Sequence, residues 1–163
     1  MTLVVPFDGS ELSEVALVRA AQFESVLNER VLAVSVIPTG NAEYARARGW
    51  LRTGEPFDAE RIVDTLRASV AEIHPDAEYH HTVVDRRAPR GTIAKALCRF
   101  ARDHEASIVF LGSENAGRVV SGFTVGRSVA ADDAYDTMIV SAVRPSNSRR
   151  LEAAKPTTEV LKE

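Results

Sequence analysis

The sequence predicts an α/β fold in which one parallel sheet is wound with helices on both faces. Five short runs rich in Val and Ile, at residues 2–6, 31–37, 79–84, 107–111 and 138–143, alternate only weakly between apolar and polar, as strands covered on both faces do. Stretches with helical period separate them, at 10–25, 58–73, 92–104 and 127–134. The resulting order, β-α-β-α-β-α-β-α-β, is that of a doubly wound layer. With 45% of its 163 residues apolar, the chain has core for one domain, read as 1–144, followed by a polar, mobile tail at 145–163.

The first strand, 2–6, runs into Phe7-Asp8-Gly9-Ser10 and then a helix on which Leu12, Val15, Ala16, Val18 and Phe23 share a face. Ser10 is its N-cap candidate. After the second strand, 31–37, comes a long connection, 38–56, with two prolines, three glycines and a short helix over 42–50 that displays Arg46 and Arg48. A connection of that length is a lid or a decoration, and its Trp50 either stacks on a base or closes the lid onto the core. The third strand, 79–84, carries His80 and His81, which point to opposite faces and cannot share one metal. Arg86, Arg87 and Arg90 follow in a loop and read as solvated. The helix 92–104 places Ile93, Ala94, Leu97 and Cys98 on one face, so Cys98 reads as packed. His74 and His104 lie near helix C-termini, where an imidazolium suits the dipole.

Composition excludes several classes. Twenty basic against 23 acidic residues give a net charge of −3, which argues against a surface built to neutralise nucleic-acid phosphates. The opening residues reach Asp8 after a short apolar run, with neither the layout of a secretory signal nor the length of a membrane span, so a cytoplasmic protein is expected. The single cysteine, Cys98, rules out an intramolecular disulfide framework and a multi-Cys zinc cluster.

Open parallel sheets bind ligands beyond the carboxyl ends of their strands. Asp8 sits there, just past the first strand and ahead of a helix N-terminus. Its carboxylate can accept a hydrogen bond from an adenine amino group or a ribose hydroxyl, help hold magnesium, or simply cap the helix together with Ser10. The fourth strand, 107–111, enters the loop 112–128, whose four glycines and four hydroxyl residues precede a helix start and suit backbone donation to phosphates. Gly112 and Gly117 have P-loop spacing, but Arg118-Val119 stands where Lys and Ser/Thr are required.

Several fragments together resemble the universal stress protein family: LVVPFDGSELSEVAL, VSVIP, GTIAKALCRFARDHEASIVFLGS and GRSVAADDAYDTMIV. The resemblance implies five parallel strands in order 3-2-1-4-5 with a crevice between the first and fourth. In nucleotide-binding members, an aspartate after the first strand and a valine at the end of the second contact adenosine, roles that fall on Asp8 and Val36. The family's phosphate loop is Gly, two residues, Gly, nine residues, Gly, then Ser or Thr. Here Gly112 matches the first glycine and Asn115 replaces the second; ten residues then precede Gly126, and Arg127 separates it from Ser128.

The resemblance therefore implies a stress-related regulatory domain binding ATP or another adenine nucleotide, with or without Mg. The alternative is a nucleotide-free homodimeric interaction module with a degraded phosphate loop. No catalytic nucleophile or transfer signature is visible, so at most slow ATP hydrolysis is expected. In the family's strand order the run 138–143 lies at a sheet edge and carries no charge or Pro, which implies a homodimer joined through this strand; Val140 is the position expected to meet its copy across the axis.

Overall fold

The computed structural model describes residues 1–89, 91–112 and 128–141. Within them lie β1 (Thr2–Pro6), α1 (Glu11–Leu27), β2 (Arg30–Pro38), α2 (Ala42–Ala47), α3 (Ala59–Ile73), β3 (Glu78–Val84), α4 (Gly91–Asp103), β4 (Ala106–Gly112) and β5 (Asp136–Val140). The five strands form one sheet, every neighbouring pair parallel, in the order β3-β2-β1-β4-β5. The doubly wound sheet expected from the apolar runs is therefore present. Arg90, Asn115, Arg118, Gly126, Arg127 and the expected tail 145–163 lie outside the described residues.

Strand alternation divides the core between the two sheet faces. Leu3, Val5 and Phe7 pack with Ala16, Leu17 and Ala20 of α1, Ile62, Leu66 and Val70 of α3, and Phe110. Val4 packs on the other side with Leu32, Val34 and Val36 of β2, Leu97 and Phe100 of α4, and Val129. Fully buried side chains such as Leu17 and Leu32 each contribute about 1.5–3 kcal/mol of burial, which is why the strands are apolar at consecutive positions. On α1 the buried stripe is Ser13, Ala16, Leu17 and Ala20, small enough to bring the helix close to the sheet.

Element ends depart from the sequence expectation for identifiable reasons. Helix α1 continues to Leu27 because Asn28, at φ 55°, supplies the left-handed cap and its N–H donates to Glu24 O. The short helix expected over 42–50 stops at Ala47. Gly49, at φ +75°, turns the chain, with its N–H on Arg46 O and the Trp50 N–H on Ala45 O, a Schellman arrangement. Of the helix expected over 127–134, Ser128–Ala130 are helical among the described residues; the chain then turns as Asp132 Oδ1 accepts the Ala134 N–H at 3.0 Å.

The last strand, expected over 138–143, occupies Asp136–Val140 and so starts two residues earlier; residues 142 and 143 lie outside the described residues. Its register runs from Ile108↔Asp136 to Gly112↔Val140, so β5 starts opposite the third residue of β4 and reaches Val140 where β4 reaches Gly112. This register also turns Val140 inward, 5% exposed, and leaves Ile139 outward, 60% exposed, correcting the expectation that Val140 is the edge-facing residue.

Candidate functional site

The centre of the sheet edge is set by β1 and its two neighbours. Pairing continues one residue past β1, where the Phe7 N–H donates to Val34 O at 2.8 Å and Ser35 Oγ donates to Phe7 O at 2.5 Å. The next residue is Asp8, held between the end of β1 and the start of α1. Its Oδ1 accepts the Ser10 N–H at 2.9 Å, while Ser10 caps α1 by accepting the Ser13 N–H at 3.2 Å. The helix-capping role is thus shared: Ser10 is the cap and Asp8 braces the turn leading to it.

Asp8 Oδ2 points the other way and pairs with Arg48 Nη1 at 2.8 Å, and the Asp8 carbonyl accepts the Trp50 indole N–H at 2.7 Å. Both partners come from the connection between β2 and α3. The Arg48 guanidinium lies 4.7 Å from the centre of the Tyr44 ring, and Tyr44 meets Trp50 edge-on at 5.6 Å. Burial pushes the Asp8 carboxyl up, but the Ser10 side chain and N–H, the Arg48 guanidinium and the Ser13 side chain together hold it below the ordinary value of 3.8. Asp8 is therefore an anion at neutral pH. The Arg48 and Asp8 side chains remain 34% and 31% exposed, so water screens their pair and it is worth only about 0.2–1 kcal/mol.

Gly112 ends β4 on the same edge, beside the first turn of α1. A Cβ built on it would stand 2.7 Å from Leu12 Cβ and 3.1 Å from the Leu12 carbonyl, so only glycine lets β4 end this close to the helix. Because β1 pairs directly with β4, the loop that leaves Gly112 starts next to the turn that carries Asp8. Val36, near the end of β2, is 7% exposed and faces the α4 side of the sheet, packed with Val34 and Leu32. Asn115 and Gly126 lie outside the described residues.

Ser128 is exposed, and its carbonyl lies 3.9 Å from Cys98 Sγ on α4. Next to it Val129 is fully buried and its carbonyl accepts the Tyr135 hydroxyl at 2.9 Å. Burial, then the neighbouring Cys98 thiol, push the Tyr135 hydroxyl far above its ordinary value, keeping it a donor. The Arg102–Asp132 pair at 2.7 Å fastens the same turn to α4. The chain returning from 112–128 is thus anchored on α4 by Val129, Tyr135 and Asp132.

The remaining residues singled out in the sequence have local partners. His74 caps α3 and meets Glu24 at 2.7 Å; His80 packs against Phe100 and His104; His81 stacks on Tyr79. Among the described residues no group of three His, Cys, Asp or Glu side chains is gathered as for a metal ion. Arg86 and Arg87 are exposed. The sequence reading passed over Tyr44, although its spacing of four from Arg48 on a short helix puts the two on one face.

The model of the universal stress protein family matches residues 1–132. Among solved structures, a universal stress protein in complex with cAMP aligns with a TM-score of 0.59 at 21% identity, over 88% of this chain and 98% of its own. One from Archaeoglobus fulgidus in complex with dAMP gives 0.53 at 18% identity, over 85% and 96%. The protein UspA from Lactobacillus plantarum gives 0.57 at 15%, over 86% and 97%. At these identities the likeness is one of fold. No curated protein sequence matches the chain.

Proposed function

The chain belongs to the universal stress protein family, and we propose that it is a stress-related regulatory domain that binds ATP or another adenine nucleotide in the crevice between β1 and β4. The observation that carries this reading is the placement of Asp8: an ionised carboxylate at the carboxyl end of the central strand, which pairs with β4, the strand that ends at Gly112. Asp8 accepts a hydrogen bond from the adenine amino group or a ribose hydroxyl, and Val36 supplies apolar contact to the adenosine. Gly112, Asn115, Gly126 and Ser128 frame the phosphates. Solved relatives of the same fold in complex with cAMP and dAMP support adenine as the base. Asp8 also supplies a carboxylate that can help hold a magnesium ion carried by the nucleotide's phosphates.

The protein works as a homodimer joined through β5, which pairs with β4 on one side and exposes Ile139. The alternative, a nucleotide-free dimeric module, is favoured by one observation: the Asp8 carboxylate and carbonyl are engaged within the chain itself, by Arg48 and Trp50. Mass spectrometry of small molecules released from protein purified without added nucleotide, followed by titration with ATP, AMP, cAMP and adenosine, separates the two. Retained adenine nucleotide, or saturable binding of an added one, is the expected result. An empty protein that binds none of the four would leave the dimeric module.

A further inference from the structure

We propose that residues 39–57 form a latch over the Asp8 end of the crevice, and that an adenosine group docking on Asp8 displaces Arg48, so that the position of the latch reports occupancy to a partner. The inference rests on the nucleotide reading above and adds to it the device by which binding becomes visible at the surface. The segment is built in two parts. Ala45, fully buried, and Leu51, 6% exposed, pin it to the core beside Phe7 and Leu66. Between these pins the chain turns at Gly49 and presents Arg48 and Trp50 to Asp8 at 2.8 and 2.7 Å.

The two contacts differ in kind. Trp50 holds the Asp8 backbone carbonyl and is half-buried against Tyr44, whereas Arg48 holds the Asp8 carboxylate and is open to water. A ligand that needs the carboxylate competes with Arg48. It does not compete with Trp50 or with the Ser10 N–H on the other carboxylate oxygen. Release is therefore a change at Arg48 and the Gly49 turn, with the pins in place, and not a swing of the whole connection. An Arg48 that has left Asp8 also leaves the face of Tyr44, which uncovers the Tyr44–Trp50 pair on the outer surface.

Trp50 is the only tryptophan in the chain, so its fluorescence and its quenching by acrylamide read this pair directly. Adenosine, which lacks phosphates, is the probe for the ligand. We expect adenosine to raise acrylamide quenching of Trp50 in the native chain. Arg48→Ala should raise it without any ligand and tighten adenosine binding about 3–10-fold. Arg48→Gln, which keeps much of the side-chain stem over Tyr44, should act in the same direction and guards against misfolding of the alanine variant. Arg46→Ala, on an exposed neighbouring position, should change neither readout.

If the native chain binds adenosine but Arg48→Ala binds it equally or more weakly, and Trp50 quenching does not move on binding, the latch is wrong and the nucleotide site stands. A loss of ATP affinity in Arg48→Ala with unchanged adenosine affinity would make Arg48 a phosphate ligand, which also overturns the latch. Failure of both native and variant chains to bind adenosine or any adenine nucleotide overturns the site itself and the latch with it.

Discussion

Asp8 is held in place by hydrogen bonds from its own turn before any ligand is considered. Its carboxyl lies below the ordinary 3.8, so it adds stability that is fully present above that value and is lost as the pH falls through the lowered native value. Urea denaturation of the native chain and of Asp8→Asn should therefore differ by a steady amount from neutrality down to about pH 4, and the gap should close as the pH falls from there through the lowered native value. A gap that stays constant down to pH 3 would mean that the charge of Asp8 has no part in folding stability. Because the Ser10 contacts outweigh Arg48 among the influences lowering it, Arg48→Ala should reduce the acid-dependent step without removing it.

Gly112 makes a second prediction at this scale. Its position at the end of β4 is a matter of space, since an added Cβ would meet Leu12 side chain and backbone together. Gly112→Ala should cost about 1–3 kcal/mol of stability by overpacking, measured as a lower urea midpoint. An unchanged midpoint would show that α1 yields to the methyl group. That Gly112 and Asp8 stand at strand ends was legible in the sequence, because apolar runs break at both. That Gly112 also presses on Leu12 was not, since the contact joins residues 100 positions apart.

At the scale of elements, strands and long helices followed from hydrophobic pattern, and the errors fell where a partner sets the boundary. Strand β5 shifted because its register is dictated by β4, a constraint that composition does not carry. The shift matters for assembly. If two copies meet along β5, Ile139→Lys places like charges near the two-fold axis and should convert a sedimenting dimer to monomer while leaving the fold intact. Val140→Lys should instead bury an unpaired charge and unfold the chain. A native chain that is already monomeric at high micromolar concentration contradicts the dimer. The connection between β2 and α3 was recognised by its length, and the alternative that Trp50 closes onto the protein is the one observed; its target, the Asp8 carbonyl, follows only from the Schellman turn at Gly49.

For the molecule as a whole, the parallel order β3-β2-β1-β4-β5 places the ends of β1 and β4 side by side, and the charged group Asp8 stands at the β1 end of that junction. Everything proposed for function passes through it: the nucleotide docks on its carboxylate, and the latch lets go of it. The most direct measurement is calorimetry of adenosine and ATP binding to the native chain and to Asp8→Ala, with folding of the variant checked by circular dichroism. The account predicts saturable binding to the native chain and a loss of about 1.5–3 kcal/mol in the variant, the worth of a hydrogen bond to a charged group. Equal affinity in a folded Asp8→Ala protein would contradict it.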